Sequence, residues 1–246
     1  MTNKSGKLMV LVGSSRSGKT QKALDELKRH DRVLVWDVEG HYECDYRATN
    51  QADFSSAVGR SIGHPVTIAY TGSLKDFDYF CAVAFWWVKV NSHLGAPCAV
   101  VAEETADVTS PNKAPEAYGI LLRRGLKYGV DIFAITQRPA ESDKTSVGNA
   151  SVVHICRMNL PIDREYMARM TGVPLAEIEV LAADQDAGKF DYITVDTGRR
   201  EYRRGRLTFT GKAPVFTLNS DVVSLQAVRI EQPEPQKTKK QAKKPL

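Results

Sequence analysis

The segment from residue 13 to residue 20 constrains the fold of this chain more than any other. Residues 7–12 precede it and predict a buried strand, and the helix-forming residues 20–30 follow it. Two glycines in a loop of this kind let backbone N–H groups and the start of the helix face phosphates. We predict that eight residues form a phosphate-binding loop: Gly13, Ser14, Ser15, Arg16, Ser17, Gly18, Lys19 and Thr20.

This phosphate loop (residues 13–20) has the spacing GxxxxGKT. In loops with this spacing the lysine reaches the β- and γ-phosphates, and the following hydroxyl holds Mg²⁺. We therefore expect ATP and Mg²⁺ as cofactors, with Lys19 on the phosphates and Thr20 on the metal ion. The alternative is a glycine loop that binds nothing, and the strand and helix on either side argue against it.

Apolar, β-branched runs alternate with helical patterns along most of the chain. This alternation is typical of βαβ units and predicts a parallel sheet covered on both faces. Further strands are predicted at 32–38, 65–70, 96–102, 130–136 and 152–158, and helices near 74–91, 115–128, 163–171 and 175–181. A hairpin is predicted from 190–196 and 206–210. The predicted fold class is α/β: a P-loop NTPase with a mainly parallel central sheet flanked by helices.

The composition fits one domain with a sizeable core. The chain has 246 residues, of which 42% are hydrophobic and 26% charged. We predict a single ATPase domain over residues 1–230, with a basic hairpin near 190–210, and a disordered lysine-rich tail over 231–246. The tail carries a net +3 of the formal charge of +5. The folded body is then nearly neutral, so nucleic-acid binding needs a local basic patch.

Neither the cysteines nor the apolar segments indicate an exported or membrane-spanning protein. The cysteines form no CxxC pair and are expected to be reduced core residues in a cytosolic compartment: Cys44, Cys81, Cys98 and Cys156. The most apolar window, residues 80–88, is shorter than the roughly 20 residues of a membrane span. We predict a buried core helix there; the alternative is an aromatic face of Phe85, Trp86 and Trp87 that meets a membrane or another subunit.

Two carboxylates directly follow a predicted apolar strand. Glu103 and Glu104 come after residues 96–102, at the sheet edge where the phosphate loop is also expected. Hydrolysis needs a metal ion that offsets charge and a base that activates water. We predict that Glu103 binds the Mg²⁺ shell and that Glu104 is the base. Alternatively, they are an acidic pair at an exposed strand end.

A third polar element ends the strand at 130–136. Gln137 and Arg138 precede Pro139 there, and the amide of Gln137 is able to hydrogen-bond a γ-phosphate or the attacking water. Taken alone, the segment is a polar turn before a proline.

Together these elements resemble the FtsK/HerA superfamily of P-loop DNA translocases, roughly over residues 8–158. The most specific part is 121–139, Leu-Leu-Arg-Arg-Gly-Leu-Lys-Tyr-Gly-Val-Asp-Ile-Phe-Ala-Ile-Thr-Gln-Arg-Pro. It looks like the HerA-type helix followed by a strand that ends in a Thr-Gln-Arg-Pro turn. The resemblance implies a RecA/FtsK-HerA-like core, an oligomeric ring, usually hexameric, and double-stranded DNA in its centre.

Two positions differ from the family pattern. The family usually has aspartate where Glu103 stands, and it often has an arginine at the place of Leu126 that completes a neighbour's active site. If this chain has such an arginine finger, nearby candidates are Arg123, Arg124 and Arg138. Of these, Arg123 and Arg124 are our choice, because Arg138 follows Gln137 and is expected to face its own nucleotide.

Residues 198–206 are strongly basic, with five arginines around one tyrosine. Such a segment suits contacts with phosphates of nucleic acid, and we predict DNA contacts by Arg199, Arg200, Arg203 and Arg204. A solvated hairpin tip is an equally good interpretation.

The small size of the chain is similar to that of the genome-packaging ATPases of tailless, membrane-containing viruses such as tectiviruses. The resemblance implies a motor that drives DNA into a preformed capsid, located in the host cytoplasm or at a virion vertex, soluble, and in contact with capsid-vertex or membrane proteins. One alternative is a cellular or plasmid HerA-like translocase. A second is an ATP-dependent phage assembly factor that does not move DNA, and a small-molecule kinase is a weaker third.

Overall fold

The structure is a computed structural model that describes residues 5–95 and 97–225. Within this part of the chain all strands join one sheet. The strands are Leu8–Val12 (β1), Arg32–Trp36 (β2), Tyr46–Ala48 (β3), Val66–Tyr70 (β4), Cys98–Ala102 (β5), Val130–Thr136 (β6), Val152–Cys156 (β7), Ala183–Asp184 (β8), Lys189–Asp196 (β9), Glu201–Thr210 (β10), Ala213–Leu218 (β11) and Val223–Ser224 (β12). The lysine-rich tail predicted at 231–246 lies outside the described residues.

The sheet has a parallel half and an antiparallel half. Its order is β11-β10-β9-β7-β1-β6-β5-β2-β4-β3, with β8 and β12 beside β9 and β10. In this spatial order, neighbouring strands are parallel in the part β7-β1-β6-β5-β2-β4-β3. Strands β9, β10 and β11 pair antiparallel with their neighbours. The predicted α/β fold with a mainly parallel central sheet is confirmed.

Helices connect the parallel strands. They are Lys19–Leu27 (α1), Gln51–Arg60 (α2), Phe77–Asn91 (α3), Thr105–Val108 (α4), Glu116–Arg124 (α5), Lys144–Asn149 (α6), Pro161–Thr171 (α7) and Leu175–Glu179 (α8). Short 3-10 turns extend α3 and α5 at Leu74–Asp76, Ser92–Leu94 and Gly125–Tyr128. Helix α7 ends at Gly172, whose φ of 78° is the left-handed conformation common after helices.

The two faces of the sheet are covered unequally. One face packs against α2, α3, α5, α6 and α7, and its core includes the fully buried Trp36, Trp87 and Tyr118. The other face carries a smaller core, in which Ala23 and Leu27 of α1 and Tyr42 of the loop after β2 contact the strands. Both faces are covered, as predicted, but the second mainly by one helix and one loop.

Two sequence interpretations need correction. Only Trp86 of the proposed aromatic face is strongly exposed, at 47%. Trp87 is fully buried and donates a hydrogen bond to Ser61 Oγ over 3.1 Å, so residues 80–88 belong mostly to a core helix. Cys44 is only half-buried, in contrast to the other three cysteines, and all four are free thiols.

The basic segment at 198–206 is mainly strand, not turn. Only residues 197–200 form the turn, and β10 begins at Glu201. The segment is stabilised as a strand because it pairs with β9 along its length, and because the buried Tyr202 and Leu207 contribute to the core on opposite faces of the sheet.

Candidate active site

The phosphate loop follows β1 and is shaped by its two glycines. A Cβ on Gly13 would lie 2.7 Å from the Cβ of Cys156, and Gly18 has a φ of 100°, a left-handed conformation that favours glycine. A Cβ on Gly18 would also lie 3.1 Å from a methyl group of Leu207 in β10. The loop therefore packs tightly against both β7 and the antiparallel half of the sheet.

Further contacts fix the loop to its neighbours. The backbone N–H of Gly13 donates to the carbonyl of Thr136 over 3.3 Å, and that of Ser14 donates to the carbonyl of Arg157 over 2.8 Å. The Ser14 hydroxyl donates to the same carbonyl over 3.1 Å. Ser15 and Arg16, by contrast, are exposed. The loop is thus anchored at its start and accessible at its tip.

Lys19 lies under the loop rather than in solvent. Its ammonium donates a hydrogen bond to the Ser14 carbonyl over 3.0 Å, and the residue is only 6% exposed. Burial lowers the pKa of Lys19, and the negative field of Glu104 and Glu103 opposes that shift. Among the described residues the only hydrogen-bond partner of the Lys19 ammonium is this carbonyl, so the cation suits a phosphate group.

Glu103 and Thr20 meet across the gap between β5 and α1. The Thr20 hydroxyl lies 3.4 Å from Oε1 of Glu103, and the same oxygen accepts a hydrogen bond of 2.7 Å from the Tyr42 hydroxyl. Burial raises the pKa of Glu103, and the hydrogen bond from Tyr42 counteracts the rise. In the described residues no cluster of three or more His, Cys, Asp or Glu has metal-binding geometry. One carboxylate with one hydroxyl instead fits Mg²⁺, which takes few protein ligands and completes its shell with phosphates and water.

Glu104 and Gln137 form a second pair at the same edge. The Gln137 amide group donates to Oε1 of Glu104 over 2.8 Å, and the Gln137 backbone N–H donates to Oε2 over 3.2 Å. Glu104 has a φ of 46° and a ψ of 55°, a left-handed conformation that is uncommon outside glycine and concentrates at functional sites. The pair forms because β6 lies between β1 and β5, so that Gln137 ends the strand beside Glu104.

The structure does not bring Arg123 and Arg124 to this edge. Both are exposed at the end of α5, and the following turn is bound to the start of β1, where Gly6 N–H donates to the Leu126 carbonyl over 2.8 Å. The start of β1 is separated from the phosphate loop by the length of β1, because the loop follows the other end of this strand. Neither arginine has a hydrogen bond or ion pair to another described residue.

Arg138 is engaged within its own chain. Its Nε donates to the buried Asp163 over 3.1 Å, and its terminal nitrogen contacts Glu141. Two carboxylates thus neutralise the guanidinium next to Gln137.

The arginines of the basic segment differ in their partners. Arg204 pairs with Glu177 of α8, and Arg206 pairs with Asp191 over 2.6 Å. Arg199 lies 3.8 Å from Asp196. Arg200 and Arg203 have no ion pair among the described residues. Of the four predicted DNA contacts, Arg204 is therefore the least available.

Comparison with known proteins places the chain in a family. No model of a known protein family matches it. Protein P9 of Pseudoalteromonas phage PM2 is 31% identical over 189 residues, which cover 71% of this chain and 84% of P9. The chain belongs to the family of phage protein P9.

Solved structures show the same fold in viral proteins. The genome packaging NTPase B204 of Sulfolobus turreted icosahedral virus 2, solved with ATP-γ-S, superposes with a TM-score of 0.62 at 15% identity, over 81% of this chain and 96% of B204. B204 of Sulfolobus turreted icosahedral virus, described as a DNA-packaging ATPase, gives 0.58 at 11% identity, over 82% and 97%. The predicted P-loop NTPase fold is confirmed for this member of the P9 family.

Sequence reasoning missed Tyr42 and the extent of β10. Tyr42 lies between His41 and Glu43 in a loop, and nothing in the local pattern indicates its contact with Glu103, 61 positions away. In the described part of the P9-family chain, no helix is both long and apolar enough to cross a bilayer.

Proposed function

We propose that the chain is a Mg²⁺-dependent ATPase motor that translocates double-stranded DNA and packages a viral genome into a preformed capsid. The observation that carries the proposal is the meeting of Lys19, Glu103 and Glu104 at one edge of the sheet, next to the phosphate loop. The names of the similar viral proteins, a genome packaging NTPase and a DNA-packaging ATPase, support the packaging role.

The residues divide the work of hydrolysis. The N–H groups of the phosphate loop and Lys19 bind the phosphates. Thr20 and Glu103 would hold Mg²⁺, which offsets negative charge on the transferring phosphoryl group when it is bound. Glu104 accepts the proton of the attacking water. Gln137 holds the Glu104 carboxylate in this structure, and its amide group is of a type that hydrogen-bonds a γ-phosphate.

Strand β10 provides a direct path from the nucleotide to the basic turn. Leu207 contacts Gly18 in the phosphate loop, and the same strand begins beside Arg200. The turn lies at the opposite edge of the sheet, because Thr197 N–H donates to the Ser151 carbonyl, just before β7. Seven strand residues span about 23 Å. A shift of the loop on hydrolysis would therefore act on a strand that carries the proposed DNA contacts.

The first test measures phosphate release by the purified chain with and without double-stranded DNA. We expect hydrolysis that needs Mg²⁺ and is several-fold faster with DNA, because a motor couples turnover to its track. Single-stranded DNA of the same length and a Lys19→Ala variant serve as controls. If the rate of hydrolysis is the same with and without DNA under conditions where the chain binds DNA, translocation is contradicted. The proposed ATPase activity would still stand.

Genes beside this one provide a second criterion, since capsid genes support packaging and nuclease genes support a HerA-like translocase.

Neutralising the basic segment tests DNA binding. Replacing Arg199, Arg200, Arg203 and Arg204 by glutamine is expected to weaken DNA binding and to flatten its salt dependence by about three units of slope. Each phosphate contact contributes roughly 0.9, and Arg204 is not counted because Glu177 already pairs with it. Fluorescence anisotropy over a range of salt concentrations measures the slope.

Arg206→Gln is the matched control, because Asp191 already neutralises that arginine. We expect its slope to be close to that of the wild type. An unchanged slope in the fourfold variant would favour the alternative interpretation, in which the segment is a solvated hairpin tip that does not contact DNA.

A further inference from the structure

We propose that Tyr42 is a positioning residue for Glu103, whose carboxylate it holds toward Thr20 so that the two side chains bind Mg²⁺ together. The inference rests on the proposed ATPase function and extends it to a residue outside the phosphate loop. Tyr42 does not reach the nucleotide in this proposal; it acts only through Glu103.

The first step of the argument is the anchoring of the loop that carries Tyr42. Asp37 ends the buried run of β2 and is only 1% exposed. Its carboxylate accepts hydrogen bonds from the backbone N–H groups of His41 over 2.8 Å and Tyr42 over 3.0 Å, and from Arg47 over 2.8 Å. Arg47 also donates to the Tyr42 carbonyl. The buried Asp37 carboxylate thus holds the N–H of Tyr42, and its partner Arg47 holds the carbonyl of Tyr42.

The ring of Tyr42 is fixed as well. Tyr42 is 3% exposed and packs in the smaller core with Val35 and Val101. Its hydroxyl is therefore presented from a rigid base, and the acceptor it meets is Oε1 of Glu103 at 2.7 Å.

The position of Glu103 explains why such a donor matters. Glutamate has one more rotatable bond than aspartate, so its carboxylate has more orientations to lose when it binds a metal ion. Oε1 contacts Tyr42 and lies 3.4 Å from the Thr20 hydroxyl. The hydrogen bond selects the orientation in which the carboxylate and the hydroxyl are neighbours.

The electrostatic neighbourhood adds a second reason. Glu103 and Glu104 are consecutive carboxylates, and like charges this close repel each other. Tyr42 donates to the first and Gln137 to the second. Separate donors therefore hold the two carboxylates apart, one beside Thr20 and one beside the end of β6.

The test is the Tyr42→Phe variant, which keeps the ring and removes the hydroxyl. Affinity for a non-hydrolysable ATP analogue is measured by fluorescence titration with Mg²⁺ and with a chelator. We expect unchanged affinity in the chelator. The factor by which Mg²⁺ increases the affinity, the Mg²⁺ gain, should be about tenfold smaller than in the wild type, as for loss of a hydrogen bond to a charged group. The Mg²⁺ concentration for half-maximal ATPase should rise by a similar factor.

Tyr70→Phe is the matched control. The Tyr70 hydroxyl also donates to a carboxylate, Asp76, over 2.6 Å, but Asp76 precedes α3 and does not belong to the site. The control should lose comparable thermal stability and keep the wild-type response to Mg²⁺. A reduced Mg²⁺ gain in both variants would mean that the reduction comes from general destabilisation of the fold, and it would overturn the proposal.

A double-mutant cycle decides whether Tyr42 acts through Glu103. In a Glu103→Asp background the shorter carboxylate no longer reaches the phenol, so Tyr42→Phe should have no further effect on the Mg²⁺ gain. Equal effects in both backgrounds, or a wild-type Mg²⁺ gain in Tyr42→Phe alone, would refute the positioning role. A wild-type chain that binds the nucleotide equally well with and without Mg²⁺ would instead refute the proposed Mg²⁺-dependent function, before Tyr42 is considered.

Discussion

Glu104→Gln is expected to bind ATP like the wild type and to hydrolyse it at least about a hundredfold more slowly, because the change removes only the general base. The glutamine keeps an oxygen that accepts from the Gln137 backbone N–H, so the left-handed turn at Glu104 retains one of its hydrogen bonds. Phosphate release and titration with a fluorescent ATP analogue separate the two properties. Hydrolysis at the wild-type rate would show that Glu104 is not the base.

Lys19→Ala should differ from Glu104→Gln in its affinity for ATP. It removes the cation that we propose contacts the phosphates, so we expect affinity for ATP to fall at least about tenfold, with hydrolysis lost as a consequence. The melting temperature of the nucleotide-free protein should not fall, because burial already lowers the pKa of Lys19 and the charge is costly to hold there.

Lys22→Ala is the control for Lys19→Ala. It removes a lysine from the same helix, one that pairs with Glu26 over 2.6 Å. Its affinity for ATP should remain that of the wild type. Equal losses of affinity in the two variants would mean that disruption of α1, and not a phosphate contact, explains the result.

The central fold was predictable because its signals are local. Strand β6 has the predicted bounds, Val130–Thr136, since seven mostly buried residues are closed by Gly129 and by the polar Gln137. The short β3 and the helix α2 were missed. For α2 a signal was present, because Asn50 caps the helix by accepting from the Asp53 N–H over 3.0 Å. For β3, three residues at the edge of a sheet are too few to show a period.

The basic strand shows how charge hides a strand pattern. In β10 the buried Tyr202 and Leu207 are separated by arginines at most positions, so alternation of apolar and polar residues is not visible. Pairing with β9 decides the conformation. The proposed phosphate loop and the two carboxylates are predictable from the sequence because each is a short linear motif beside a strand. Tyr42 is not, because its proposed role depends on a contact that only the folded chain creates.

The position of α5 makes the prediction of an arginine finger more specific, because it decides which subunit's nucleotide the arginines are able to reach. Arg123 and Arg124 lie at the sheet edge opposite the phosphate loop, separated from it by about 23 Å, the length of a seven-residue strand. They are therefore too far away to act on the nucleotide of their own chain. A ring, in which one surface of each subunit meets a different surface of the next, is able to bring them to a neighbour's site.

Replacing Arg123 and Arg124 by alanine should consequently lower ATPase activity by about a thousandfold, the lower end of the effect of a charge-stabilising arginine. The decisive measurement mixes this variant, which keeps its base, with Glu104→Gln subunits, which keep their arginines. Two inactive preparations should regain part of their activity, because some interfaces then join an intact base to an intact arginine. Arg60→Ala, at the exposed end of α2, is the control and should be active alone. If the double variant is fully active, or if mixed rings form and regain nothing, these arginines do not complete a neighbour's site and only cover the surface of α5.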